Sequence, residues 1–228
     1  MQGSIDCIKD HVDHIILVYQ ERSNFGEGHS PLPLMPAPKG KIIHINYIPK
    51  IELGGTANEK LKRNNGINYA RILGCTHFLL MDCDEYYEDF KKAKQEYQSL
   101  ATDGSVCKMF TYFKLPTLRF QMEDNYYVPF IHKLDLGTSA GTGQYSFYVD
   151  PTRKINCKNV TELTQVRMHH FSWVRKDIGR KARNSSAKAN IEKSDLLKDY
   201  NKNLQAGDYI SDFRQCLIEV PNQFNINL

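Results

Sequence analysis

Three short runs dominate the first eighty residues: 14–20 (His-Ile-Ile-Leu-Val-Tyr-Gln), 41–47 (Lys-Ile-Ile-His-Ile-Asn-Tyr) and 76–81 (Thr-His-Phe-Leu-Leu-Met). They have strand length and are rich in apolar and β-branched residues. Residues 14–20 lack polar alternation, so that strand needs cover on both faces. Between the second and third runs, residues 58–73 set Ile67, Ala70 and Leu73 on one stripe, and Gly74 follows as a helix stop. A charged surface helix is expected over 89–100. Strand, helix, strand, helix in this order predicts βαβ units and a mainly parallel central sheet flanked by helices.

Beyond residue 104 the pattern changes. Residues 106–113, 126–134 and 145–149 read as strands with irregular links, and no helix is expected before about residue 176. A polar, lysine-rich helical stretch then runs to about residue 204, and 216–220 reads as a short terminal strand. Residues 21–40, rich in Gly, Pro and Ser, read as a long loop. A main domain over 1–174 and a helical C-terminal extension over 175–228 follow from this division.

The third apolar run ends in Asp82-Cys83-Asp84-Glu85. Two carboxylates one residue apart, at the carboxyl end of a buried strand, lie where open α/β sheets bind ligands. Oxygen ligands there suit Mg²⁺ or Mn²⁺, which hold phosphates. The plainer reading is a pair of helix caps at a strand-to-helix turn. Arg63 and Asn64, on the helix that precedes this strand, would reach the same sheet edge, or else belong to a solvated basic face.

Later in the chain, His169 and His170 are adjacent in an extended segment and face opposite ways, so one at most reaches a given site. An imidazole beside the aspartates would complete an O,O,N metal set. Arg175, next to these histidines, is singled out from the cations of 175–183, which otherwise read as the wet face of a helix. Glu123 and Asp124, flanked by Tyr126 and Tyr127, are candidates for a general base; an exposed hairpin loop explains the same pair.

The net charge of +4 interleaves 30 basic with 26 acidic residues. This balance favours an anionic partner without pointing to nucleic acid. The six cysteines show neither CxxC nor zinc spacing. The chain opens without a secretory pattern, and its apolar runs fall short of the roughly 18 residues that a membrane span needs. A cytoplasmic protein with reduced thiols is expected.

Taken together, residues 62–70, 76–85 and 170–175 (His-Phe-Ser-Trp-Val-Arg) resemble three segments of the GT-A glycosyltransferases, of the family-2-like bacterial and phage type, in the family's order. The resemblance implies a Rossmann-like nucleotide-sugar and acceptor domain over 1–174. It places Asp82 near the ribose or the metal, Asp84 on a Mn²⁺ or Mg²⁺ that bridges the donor diphosphate, and His170 as the distal ligand. Arg63 and Arg175 would stabilise the leaving group. The donor would be a nucleoside-diphosphate sugar, a UDP-sugar first among them, and the acceptor a hydroxyl on a glycan, lipid-linked glycan or protein. One departure accompanies the likeness: residues 14–20 resemble the family's second strand, so the first is expected to be missing. Two other classes stay open, a non-catalytic or truncated relative and a nucleotidyltransferase.

Overall fold

A computed structural model describes residues 2–28, 41–185, 191 and 194–227. Residues 29–40 of the expected loop, and 186–190 with 192–193 of the expected helical stretch, lie outside the described residues. A short helix α1 (Gln2–Asp6) precedes strand β1 (Ile15–Tyr19), which pairs in parallel with β2 (Ile42–Asn46), from Ile15 opposite Ile42 to Tyr19 opposite Asn46. A 3₁₀ turn leads into α2 (Gly54–Ile72), which starts one turn earlier than its apolar stripe suggests. Buried Asn58 explains the early start. Its side chain accepts from Tyr47 Oη and Lys50 N at 2.8 Å, and donates to Lys50 O and Gly54 O at 2.7 and 2.8 Å. The first turn is thus tied to the loop before it. Gly66 lets α2 lie close on β1: a Cβ there would stand 3.2 Å from Val18 Cγ2, which accounts for a helix-weakening residue in mid-helix.

Next come β3 (His77–Leu79), β4 (Glu85–Tyr87) and α3 (Phe90–Ser99), whose first turn is capped by Asp89 accepting from Lys92 N at 3.1 Å. The remaining strands are β5 (Gly104–Phe113), β6 (Leu118–Phe120), β7 (Tyr127–Lys133), β8 (Val160–Trp173), β9 (Tyr209–Ile210) and β10 (Gln215–Glu219). Helices α4 (Ile178–Asn184) and α5 (Leu196–Tyr200) lie between β8 and β9.

The central sheet is not mainly parallel, which corrects the expected fold class. Eight strands form one sheet in the order β3-β7-β5-β6-β10-β9, with β8 beside β5 and β4 beside β8. The β3–β7, β5–β7, β5–β6, β6–β10, β9–β10 and β4–β8 pairs are antiparallel; only β5–β8 is parallel. β1 and β2 form a separate parallel pair. The cause is connection length. Residues 114–117 are too short for the crossover of a dozen or more residues that parallel neighbours require, so β6 folds back on β5; residues 121–126 carry the chain on in the same sense, and β7 too runs antiparallel to β5.

The C-terminal stretch is likewise not a helical extension in its described residues. α4 and α5 are short, and β10 pairs with β6 inside the main sheet. Residues 145–149 form no strand; Val149 makes one isolated parallel bridge to Tyr127.

Two apolar clusters hold these layers. Phe90, Ala93 and Tyr97 of α3 pack with Tyr87, Phe130, Leu163 and Met168 on one face of the sheet. Phe113, Phe120, Ile210 and Leu217 bind the C-terminal strands to it.

His132 on β7 is 1% exposed. Its Nδ1 lies 3.3 Å from Phe130 O, and Nε2 has no partner. Burial pushes its pKa down to about 4. Between that value and the unfolded pKa near 6.5, the unfolded chain binds the extra proton, so stability is lost as pH falls through this window. The loss is expected to reach about 2–3 kcal/mol by pH 4.5. His132→Leu should lose correspondingly less between pH 7 and pH 4.5 in urea unfolding. Equal losses in variant and parent would show that His132 is not the source.

Candidate functional site

After β3, residues 80–84 form a tight turn into β4. Glu85 N donates to Asp82 O, and Glu85 Oε2 accepts from Asp82 N, both at 3.1 Å. The Glu85 carboxylate is buried and paired with Arg153, which also donates to Leu80 O at 2.8 Å and stands 3.6 Å from Asp82. From the other side, Arg63 of α2 donates to both carboxylate oxygens of Asp82 at 3.1 Å. Burial raises the Asp82 pKa, but Arg63 and Arg153 outweigh it and hold the carboxyl below its usual range.

Asp84 is placed by the sheet. Its carbonyl accepts from Phe171 N at 2.8 Å, and the next residue, Glu85, lies opposite His170 in the β4–β8 pair. His170 Nε2 stands 3.9 Å from one carboxylate oxygen, and Arg175 donates to the other at 2.6 Å. Burial raises the Asp84 pKa, yet His170 and Lys181 reverse the effect and the net shift is downward. Neither aspartate caps a helix: the segment that follows is strand β4.

The two histidines do face opposite ways. His169 is buried among Phe110, Tyr112 and Phe224, with Nδ1 2.9 Å from Tyr112 Oη. Burial pushes its pKa down to about 4. His170 opens instead on a cleft of about 1260 Å³ that the 81–84 turn also lines, together with Arg63, Ser172 and Lys181.

The other candidates lie elsewhere. Asn64 clamps the 134–141 loop, accepting from Ala140 N at 2.7 Å and donating to Ala140 O at 3.1 Å. Glu123 is ion-paired with Arg167, and Asp124 accepts from Tyr126 N at 3.2 Å. None of these three is among the described residues that line the cleft.

Three residues of the site escaped the sequence reading. Glu85 was adjacent to the motif and visible as an acid, but nothing marked it as buried. Arg153 sits in an irregular Asp-Pro-Thr-Arg link without periodicity, so no local signal exists. Lys181 read as part of a wet helix face, yet its ammonium reaches the Ser172 hydroxyl at the cleft, and burial lowers its pKa.

Around the turn, the cations Arg63, Arg153, Arg175 and Lys181 meet the carboxylates Asp82, Asp84 and Glu85. In this set the cations exceed the carboxylates by one, and guanidinium and ammonium groups placed so are suited to an anionic group of the phosphate kind. Among the described residues, no group of three or more His, Cys, Asp or Glu side chains is placed to hold a metal ion. Asp82 is engaged by Arg63 and Arg153, and Asp84 by Arg175, while His170 Nε2 stands 3.9 Å from the other Asp84 oxygen. Two ligands about 2.1 Å from one ion stand at most about 4.2 Å apart, and the 3.9 Å separation lies within that span. No family model, curated protein or solved structure matches the chain.

Proposed function

We propose that the chain is a metal-dependent glycosyltransferase of the DXD kind. It moves a sugar from a nucleoside-diphosphate sugar, a UDP-sugar first among the donors, to a hydroxyl on a glycan, lipid-linked glycan or protein. The observation that carries this reading is the meeting of Asp84 with His170 and Arg175 at the mouth of the cleft, from segments far apart in sequence. Kinship with the DXD glycosyltransferases belongs to the same proposal and rests on the three sequence stretches named above, two of which supply those residues and the third Arg63.

Asp84 and His170 would hold Mn²⁺ or Mg²⁺, leaving its other positions to phosphate oxygens and water. When bound, the cation would neutralise charge on the departing nucleoside diphosphate. The chain's own cations act beside it. Arg175 is partly exposed behind Asp84 and would exchange its carboxylate for a phosphate oxygen, while Lys181 supplies a second charge from the Ser172 side of the cleft. Arg63 and Arg153 fix Asp82 and with it the turn. Glu123 and Asp124 do not line the cleft, and no general base is assigned. A cytoplasmic location is part of the proposal and is favoured by six unpaired cysteines. No helix among the described residues is long and apolar enough to cross a membrane.

A second reading, a relative that holds the nucleotide without turnover, is favoured by the bidentate grip of Arg63 on Asp82, which occupies both oxygens of that carboxylate. Incubation with UDP-sugars, with Mn²⁺ or with EDTA, separates the readings. Mn²⁺-dependent release of UDP supports transfer chemistry; binding without release selects the holding domain; in a separate incubation with UTP and a sugar 1-phosphate, release of pyrophosphate would make the chain a nucleotidyltransferase.

A further inference from the structure

The cleft extends well beyond the aspartate turn, and its deeper part is bordered by main chain. Every residue of β1 and every residue of β3 lines it. Among the described residues, β1 is paired on one edge only, with β2, and β3 on one edge only, with β7. Ile15 N donates to Lys41 O and Tyr19 O accepts from Tyr47 N, so residues 15, 17 and 19 turn their peptide groups to β2. Ile16 and Val18 therefore turn theirs to the other edge. On β3, the bond from Leu134 N to Thr76 O sets residues 76 and 78 toward β7, leaving His77 and Leu79 facing away.

The other two walls are helical. Gly66, Ile67 and Ala70 of α2 close one side; Phe90, Lys94 and Tyr97 of α3, with Ile5 and Ile8, close the other. A space with two open strand edges and two largely apolar helical walls has the cross-section of one β-strand covered on both faces. Tyr97 Oη and His14 Nδ1, both at this cleft, are buried without a partner. Open main-chain edges are templates for another strand, and leaving them unpaired in an apolar setting costs free energy.

We propose that this slot is the docking site for one extended strand of a partner polypeptide, apolar and β-branched on both faces, inserted between β1 and β3. β2, α2 and β3 form a crossover of the kind that joins parallel strands, so the inserted strand would run parallel to β1. It would join the two sheets into one, which stays mixed because β7 remains antiparallel. A small ligand satisfies neither row of peptide groups. A second copy has no strand to give, because all the described strands are already paired and an intact fold does not enter a slot walled by helices. The inserted strand would end beside the 81–84 turn, yet the slot does not depend on what that turn binds.

The test is a synthetic peptide of about seven residues, alternating Val and Ile with lysines at its ends. At a concentration about 100 times its Kd it should raise the thermal midpoint by roughly 5–10 °C. It should also protect the amides of Ile16, Val18, His77 and Leu79 from hydrogen exchange. The same peptide, N-methylated at alternate amides, should do neither. Val18→Pro removes an N–H that faces the slot and not β2, so the folded variant should lose the response. Should that variant fail to fold, the N-methylated peptide still decides. Absence of both midpoint shift and protection, an equal response to the methylated peptide, or protection that rises with protein concentration alone through self-association would each overturn the proposal.

Discussion

Asp84→Ala is expected to lower Mn²⁺-dependent release of nucleoside diphosphate by about 10²- to 10³-fold, the usual cost of deleting one preorganised charge-stabilising group. The substitution removes the carboxylate that meets His170 and Arg175. It leaves the main-chain bond from Phe171 N to Asp84 O, so β4 and β8 should keep their register. The lost ion pair involves an Arg175 side chain that is 38% exposed. Such pairs contribute about 1 kcal/mol or less. Activity and stability should therefore part company: initial rates collapse while the urea midpoint moves little. Asp84→Asn, which keeps the shape and removes the charge, should track Ala. Equal, slow release by parent and both variants would remove the main support for sugar transfer.

Arg153→Met should have the largest effect on stability. Arg153 and Glu85 are 7% and 1% exposed, and the pair knits the end of β3 to the start of β4. Removing one member of a buried pair strands the other charge, at about 3–5 kcal/mol. For a chain of this size that is roughly 10 °C in thermal midpoint. Pairing the change with Glu85→Gln should recover part of the loss, since no buried charge then lacks a partner while the acceptor for Asp82 N is kept. A double-mutant cycle in urea measures the coupling. Additive losses would mean that Arg153 acts through Asp82 or Leu80 rather than through Glu85.

Local pattern revealed the strands built from continuous apolar runs, although β1, β2 and β3 are only partly buried in the fold. Residues 14–20, 41–47 and 76–81 contain β1, β2 and β3 because continuous apolar runs of that length leave little else for the backbone to do. The 14-residue β8 carried no such signal. It mixes Glu162, Thr164, Gln165 and Arg167 with apolar positions, and its register against β5 shifts twice, so neither alternation nor a continuous run survives. Strand partners were illegible for a different reason: whether β5 meets β7 or β8, and in which sense, depends on connection lengths and cover by other layers. At the site, strand alternation alone divided His169 from His170. Arg153 belongs to no pattern, and only tertiary packing selects it. Lys181 turned inward because α4, started by Asp177 accepting from Arg180 N at 2.8 Å, lies against the end of β8.

The position of β8 also has a kinetic consequence. Its parallel pairing joins Gly104 to Val160, and its other edge joins Glu85 to His170. Neither union can form by a local hairpin; each requires closing a long loop before any ladder bond offsets the lost chain entropy. During synthesis the meeting of Asp84 with His170 and Arg175 must therefore wait until residue 175 has been made, with β4 and one edge of β5 unpaired in the interval. Slow refolding and a demand for chaperones while the chain emerges from the ribosome are the expected signature of an architecture that gathers its chemistry around so late a strand.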